Sequence, residues 1–191
     1  GVGITRVSYG EGEQTARNIM ANVAKQLGMT VEDDPAGNVY MTLKGRDPQA
    51  KPVVIGSHID SVAQGGNFDG AAGVVSGLIA CAGLIKAGIK PLRDIKVMGI
   101  RAEESAWFGV SYIGSRSALG TLPSNSLENA KRSDTGRTLS DHMRSAGCNP
   151  DRIRDGHVFL PPKSLESYIE VHIEQGPVLE EAEIPVAVVT G

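Results

Sequence analysis

Apolar positions fall into short runs separated by polar and glycine-rich stretches, and the period of each run predicts its structure. Residues 11–28 place Ala16, Ile19, Met20, Val23, Ala24 and Leu27 at steps of three and four, the stripe of an amphipathic helix, with Gly28 as its stop. Asp34-Pro35-Ala36-Gly37-Asn38 is a turn cluster, and Val39 to Leu43 alternates as a short strand. Pro52-Val53-Val54-Ile55-Gly56 is continuously apolar, as in a strand covered on both faces. The loop Gln64-Gly65-Gly66-Asn67 leads to Asp69, which predicts an N-cap for a helix running to about Lys86. Asp94 to Ile100 predicts a second buried strand, which delivers Arg101-Ala102-Glu103-Glu104 at its end. From Ser105 to Pro162 the signal is mixed, with helices expected near Ser124–Lys131 and Thr138–Gly147. Tyr168 to Glu174 alternates with period two until Gly176-Pro177, and Ile184 to Gly191 reads as a last strand. Strands separated by helices predict a layered α/β domain, whose ligands sit at the C-terminal ends of the strands.

Composition narrows the function classes. A chain of 191 residues is one domain or a piece of a larger one, long enough to bury roughly 70% of its unfolded surface. The 19 Lys+Arg against 22 Asp+Glu leave no basic footprint for nucleic acid or an anionic membrane surface. A hydrophobic share of 40% excludes a disordered tail. Cys81 and Cys148 belong to no CxxC pair and make no disulfide framework, which predicts a reducing, cytoplasmic setting. Gly70 to Ile85 carries no charge but is shorter than the roughly 20 residues of a membrane span, so it reads as a buried helix. Gly1-Val2-Gly3 shows no targeting segment, and both ends read as cut.

Candidate chemistry lies at the ends of the predicted strands. In Ser57-His58-Ile59-Asp60 a His leaves a buried strand and an acid two residues on shares its side of an extended backbone. That is the usual arrangement of a metal ligand whose second ring nitrogen is held by a carboxylate. Asp69 follows His58 by eleven residues at the mouth of a helix, where both its oxygens can face metal ions. Glu103 and Glu104 point apart if the segment is extended, so that one ligates while the other faces a water, the division of labour of metal-assisted hydrolysis. His172 and Glu174 end the last alternating strand. Each element alone has a plainer reading: a hydrogen-bonded His, a turn with a helix cap, a solvated acid pair, the outer face of a pleat. Their convergence, with N and O donors suited to zinc or manganese, points to a metal site. His142 and His157 read as surface residues, Cys81 as core, Ser115-Arg116 as a turn or a substrate contact, and Gly65-Gly66 lacks the companions of a phosphate loop.

Three longer strings carry a resemblance: Gly56-Ser57-His58-Ile59-Asp60-Ser61-Val62 with Gly65-Gly66-Asn67-Phe68-Asp69-Gly70; Arg101-Ala102-Glu103-Glu104-Ser105 with Phe108-Gly109 and Gly114-Ser115-Arg116; and Val171-His172-Ile173-Glu174-Gln175-Gly176-Pro177-Val178-Leu179-Glu180. Together the chain resembles the family of N-carbamoyl-L-amino-acid hydrolases, allantoate amidohydrolases and β-ureidopropionases, within the wider aminoacylase and carboxypeptidase G-like metallohydrolases. The resemblance implies a layered α/β/α, zinc-peptidase-like catalytic domain with two divalent ions, zinc or manganese. It implies that His58, Asp69 and His172 hold one metal with Asp69 bridging, and that Glu104 binds the second. Glu103 would be the general base, Asp60 would orient His58, and Gln175 would contact a small-molecule substrate. The implied reaction cleaves a ureido C–N bond, releasing ammonia and carbon dioxide. Family members also carry a distal His ligand and a lid-like dimerisation domain. Residues 1–191 are therefore expected to be the N-terminal part of the catalytic domain, incomplete on its C-terminal side and inactive alone, with a homodimeric full-length parent. The rival readings are an aminoacylase or dipeptidase of the same superfamily, which should lack His172, and a non-catalytic metal-binding module, which has no need of Glu103.

Overall fold

The computed structural model describes residues 3–189. Helix α1 (Glu11–Gln26) forms where the periodicity placed it, but its buried face is rotated from the expected stripe. Met20, Ala21 and Ala24 are buried together with Glu13, whereas Ile19 is 59% and Val23 39% exposed. The rotation has a physical cause, because Glu13 is drawn inward by an ion pair with the buried Arg101, 2.7 Å away. The helix closes at Gly28, whose φ of +77° favours glycine, and Met29 N–H donates to the Ala24 carbonyl at 3.0 Å.

Five strands form one mixed sheet: β1 (Thr30–Asp33), β2 (Val39–Leu43), β3 (Val53–His58), β4 (Ile95–Ile100) and β5 (Ser167–Ile169). Their spatial order is β1-β2-β4-β3-β5, antiparallel across β1, β2 and β4 and parallel across β4, β3 and β5. The β1–β2 register is set by Asp34, whose carboxylate accepts from Ala36 N–H, Asn38 N–H, the Asn38 amide and the Tyr40 hydroxyl. Helix α2 (Ala71–Lys86) joins β3 to the parallel β4, as a crossover must. Alternation then divides the core. Val39, Met41 and Val97 face α1 and α2, while Tyr40, Met98 and Ile100 face Ala118 and Leu160 on the other side. Ala118 ends α3 (Ile113–Ala118), and a third cluster lies among α3, α4 (Ser126–Asn129), α5 (Leu139–Ser145) and α6 (Pro150–Arg154). The result is the layered α/β/α arrangement expected from the sequence.

Several expectations need correction. Helix α2 is buried on one side only: Gly73, Val74, Gly77, Leu78 and Cys81 pack on the sheet, but Val75 is 42% and Ile79 65% exposed. Its N-cap is Gly70 with no side-chain cap, because Asp69 is turned toward two histidines instead. The alternating run after Tyr168 pairs only through Ile169, since Glu170 binds Ser57 Oγ and the first turn of α2 at Gly73 closes on the Val171 carbonyl. Residues 184–189 form no strand and lie exposed after a short α7 (Val178–Glu181), and 190–191 fall outside the described residues. His142 is buried rather than superficial, bonded to Thr135 Oγ1 at 2.8 Å and packed edge-on to Phe108. Strand β1 and helices α3, α6 and α7 went unpredicted; each is short, and the four residues of β1 are mostly polar because the strand lies at the sheet edge.

Two substitutions test this layering. Met41→Ala, at a fully buried position of β2, is expected to cost about 2–5 kcal/mol in urea unfolding. Ile19→Ser on the solvent face of α1 is expected to stay within about 0.5 kcal/mol of the parent; equal losses would place the α1 stripe back inside.

Candidate metal centre

His58 is the last residue of β3, and the end of a strand covered on both faces leaves its ring buried. The ring Nδ1 lies 3.0 Å from the Asp60 carbonyl and 3.5 Å from its carboxylate, so Nδ1–H donates there and Nε2 keeps its lone pair outward. Asp60 is itself fully buried. Its carboxylate accepts from the Ser8 hydroxyl at 2.8 Å, Glu103 N–H at 3.0 Å and Glu104 N–H at 3.2 Å. Asp60 thus reaches His58 mainly through its carbonyl, and spends its carboxylate on the acid pair.

Asp69 and His172 complete a cluster with His58. The two Nε2 atoms stand 3.1 Å apart, and Asp69 Oδ1 lies 3.3 Å from His58 Nε2 and 3.4 Å from His172 Nε2. His172 donates Nδ1–H to the Ile173 carbonyl at 2.7 Å, so its Nε2 also presents a lone pair. With both imidazoles neutral, as metal ligation requires, three acceptors converge with no donor between them, and buried Asp69 Oδ1 has no hydrogen-bond partner among the described residues. Such an arrangement is unfavourable unless a cation satisfies it. The spacing fits a metal as well: bonds of about 2.0 Å at tetrahedral angles put ligand atoms about 3.3 Å apart. The three residues can hold a metal ion. Burial opposes charge on His58, yet Asp60 and Asp69 pull its pKa up to about 9, so that a proton on His58 is the cation a metal ion would displace from this pocket.

The two glutamates are not splayed by an extended strand. Strand β4 ends at Ile100, and Ala102 takes a left-handed φ of +51°, so the pair leaves a tight turn. Glu104 Oε1 comes to 3.9 Å from His58 Nε2, on the rim of the cluster. Glu103 turns away: its Oε2 accepts from Ser115 N–H at 3.2 Å in the first turn of α3, and burial pushes its pKa up to about 7. Gln175 was expected on the substrate side; its amide donates to Asp69 Oδ2 at 2.9 Å. Glu174 stays outside the cluster, where its carboxylate accepts from Leu179 N–H. At Gly70 only glycine fits: its φ is +64°, and a Cβ there would sit 2.5 Å from His58 Nδ1.

Comparison with known proteins adds a lineage to this geometry. The model of peptidase family M28 matches residues 38–135, which span β2, β3, α2, β4 and every ligand candidate except His172 and Glu174. The chain belongs to peptidase family M28. An N-carbamoyl-L-amino acid amidohydrolase of Geobacillus stearothermophilus is 40% identical over 99% of this chain and 45% of its own length. A ureidoglycolate hydrolase of Arabidopsis thaliana is 35% identical over 98% of this chain and 40% of its own length. In three dimensions the chain superposes on a hydantoinase/carbamoylase family amidase from Burkholderia ambifaria with a TM-score of 0.83 at 34% identity, covering 95% of this chain and 43% of that one. The resemblance noted in the sequence strings therefore holds along nearly the whole M28 chain, which spans less than half the length of these relatives.

The sequence reading missed Ser8, whose neighbourhood does not announce it, and offered Ser115 as a turn or a substrate contact, whereas its backbone N–H meets Glu103. Metal binding is measurable on the chain itself. Zinc at one hundred times its dissociation constant is expected to raise unfolding stability by about 2.7 kcal/mol, an effect that EDTA reverses and that His172→Ala loses. Unchanged melting on zinc addition to the parent would count against a metal centre.

Proposed function

We propose that this chain is the N-terminal, metal-holding part of the catalytic domain of an amidohydrolase. Its substrates would be small ureido compounds, N-carbamoyl amino acids or allantoate, with ammonia and carbon dioxide released. The observation that carries the reading is the donor-free triangle of His58, Asp69 and His172 beside a half-buried Glu103 that is aimed elsewhere. The names of the M28 relatives, which act on carbamoyl and ureido compounds, support the substrate class.

In this reading His58, Asp69 and His172 would hold one ion, and Glu104 with Asp69 would hold another, zinc or manganese. Bound there, the ions would polarise the ureido carbonyl and acidify a water. The remaining work belongs to the chain. Glu103, with a pKa raised to about 7, takes a proton from the attacking water at its carboxylate and returns it to the departing amine nitrogen. Ser115 N–H fixes that carboxylate, and Asp60 fixes the backbone of both acids. Gln175 can leave Asp69 for the substrate, since its side chain is tied by a single hydrogen bond. We also infer a cytoplasmic setting and a homodimeric full-length parent; among the described residues no helix is long and apolar enough to cross a membrane.

In the full-length parent, Glu103→Gln is expected to keep its metal content while ammonia release from N-carbamoyl amino acids falls about 10²–10⁴-fold. Normal turnover in that variant would remove Glu103 from the mechanism. The 191-residue chain alone is expected to release little ammonia, and robust release from it would show that no further segment is needed.

A further inference from the structure

We propose that Glu13, a carboxylate on α1 standing 89 residues before Ala102, is a positioning residue for the acid pair Glu103-Glu104. The inference rests on the metal-centre reading above. Its starting point is a problem of backbone accounting. After β4 the ladder ends, yet the chain stays buried, and each buried N–H must find an acceptor. Four successive N–H groups do so through side chains: Arg101 donates to Asn38 Oδ1 at 2.9 Å, Ala102 to Glu13 Oε1 at 2.9 Å, and Glu103 and Glu104 to the two oxygens of Asp60.

Ala102 is the hinge of this series. Its φ of +51° is sparsely populated for a residue with a Cβ and persists only where its surroundings fix it. On the carbonyl side, Ala102 and Glu103 are held by Ile113 N–H at 3.1 Å and Tyr112 N–H at 2.8 Å. On the amide side, Glu13 is the acceptor among the described residues. Glu13 can serve because it is rigid: Oε2 accepts from Tyr9 N–H and from Arg101 Nε, both at 2.7 Å, and the side chain is fully buried. Without Oε1 the Ala102 amide is orphaned, and the residue gains by relaxing to negative φ. That rotation pulls the Glu103 and Glu104 amides off Asp60 and carries Glu104 away from His58. A buried ion pair adds little net stability over an apolar pair of the same volume, so its value here is geometric.

The test uses the 191-residue chain, titrated with cobalt(II) and followed by visible absorption, with thermal melting measured alongside. Glu13→Asp keeps the charge facing Arg101 but is one methylene too short to reach Ala102 N–H; cobalt affinity is expected to fall about tenfold, within the range seen for outer partners of metal ligands. Adding Ala102→Gly to that variant supplies a residue that adopts the left-handed conformation unaided, and wild-type affinity is expected to return. A lowered melting temperature with unchanged cobalt affinity in Glu13→Asp would make Glu13 a stability residue and overturn the proposal. So would a double variant that binds no better than the single one. Should Glu13→Asp fail to fold, the double variant decides: wild-type affinity supports the proposal, while tenfold weaker binding or a second failure to fold overturns it. A parent chain that binds no cobalt sinks the metal-centre reading itself, a separate result from any of these.

Discussion

One buried carboxylate joins parts of the chain that sequence keeps far apart. Asp60 follows β3, yet its oxygens receive Ser8 from the N-terminal loop and the amides of Glu103 and Glu104 from the end of β4, while its carbonyl steadies His58. A carboxylate without solvent is stable only when its lone pairs are filled. Filling them here requires β3 and β4 to end side by side, which their parallel register from Val53↔Ile95 to His58↔Ile100 ensures. The sheet therefore positions the site through the needs of one side chain, and the site in turn fixes where two loops leave the sheet.

The same economy shapes the charge. Two buried arginines stand behind the acids and neither reaches the triangle of ligand atoms. Arg6 donates to the carbonyls of Ile59 and Asp69, and Arg101 donates to Glu13 and Gln14. Arg6 holds the backbone, Arg101 holds side chains of α1, and both offset charge at the rear. At the front, Asp69 Oδ1 and two imidazole lone pairs are left to one another. Such a pocket costs stability until a cation enters it, which is the usual bargain of a metal centre whose ligands are set before the ion arrives.

How much of this was legible in the sequence follows from how local each signal is. Strand β2 and helix α1 announced themselves by period, because burial on one face writes a pattern into neighbouring residues, and β3, β4 and α2 by uncharged or mostly apolar runs. The strings around His58, Asp69, Glu103 and His172 were legible because four chemically apt elements each follow an apolar run or open a helix, although only those at His58 and Glu103 follow buried strands. What failed was nonlocal. Glu13 lies outside the apolar stripe expected of α1, and Arg101, at the end of a distant strand, turns that face inward. His142 looked solvated among Asp141 and Arg144, but Thr135 and Phe108 enclose it. The run after Tyr168 alternates perfectly and still leaves the sheet, since α2 occupies the space where the ladder would continue. Period reports which face of an element is apolar; it carries no information about which distant residue will meet the polar one.

Adjacent acids in one turn acquire different surroundings for the same reason. Glu103 and Glu104 share a backbone anchor, but the left-handed residue before them sends one carboxylate under α3 and the other toward His58. Under α3 a single N–H meets the Glu103 carboxylate, burial dominates, and the pKa climbs to about 7, where a group can both take and return a proton near neutrality. Beside His58 the Glu104 side chain keeps 21% exposure and faces the imidazoles, the setting of a ligand. Burial raises the pKa of both carboxyls, that of Glu103 to about 7, and the turn at Ala102 sends them into two different surroundings within two residues, one under α3 and one beside His58, as the proposed division between base and ligand requires.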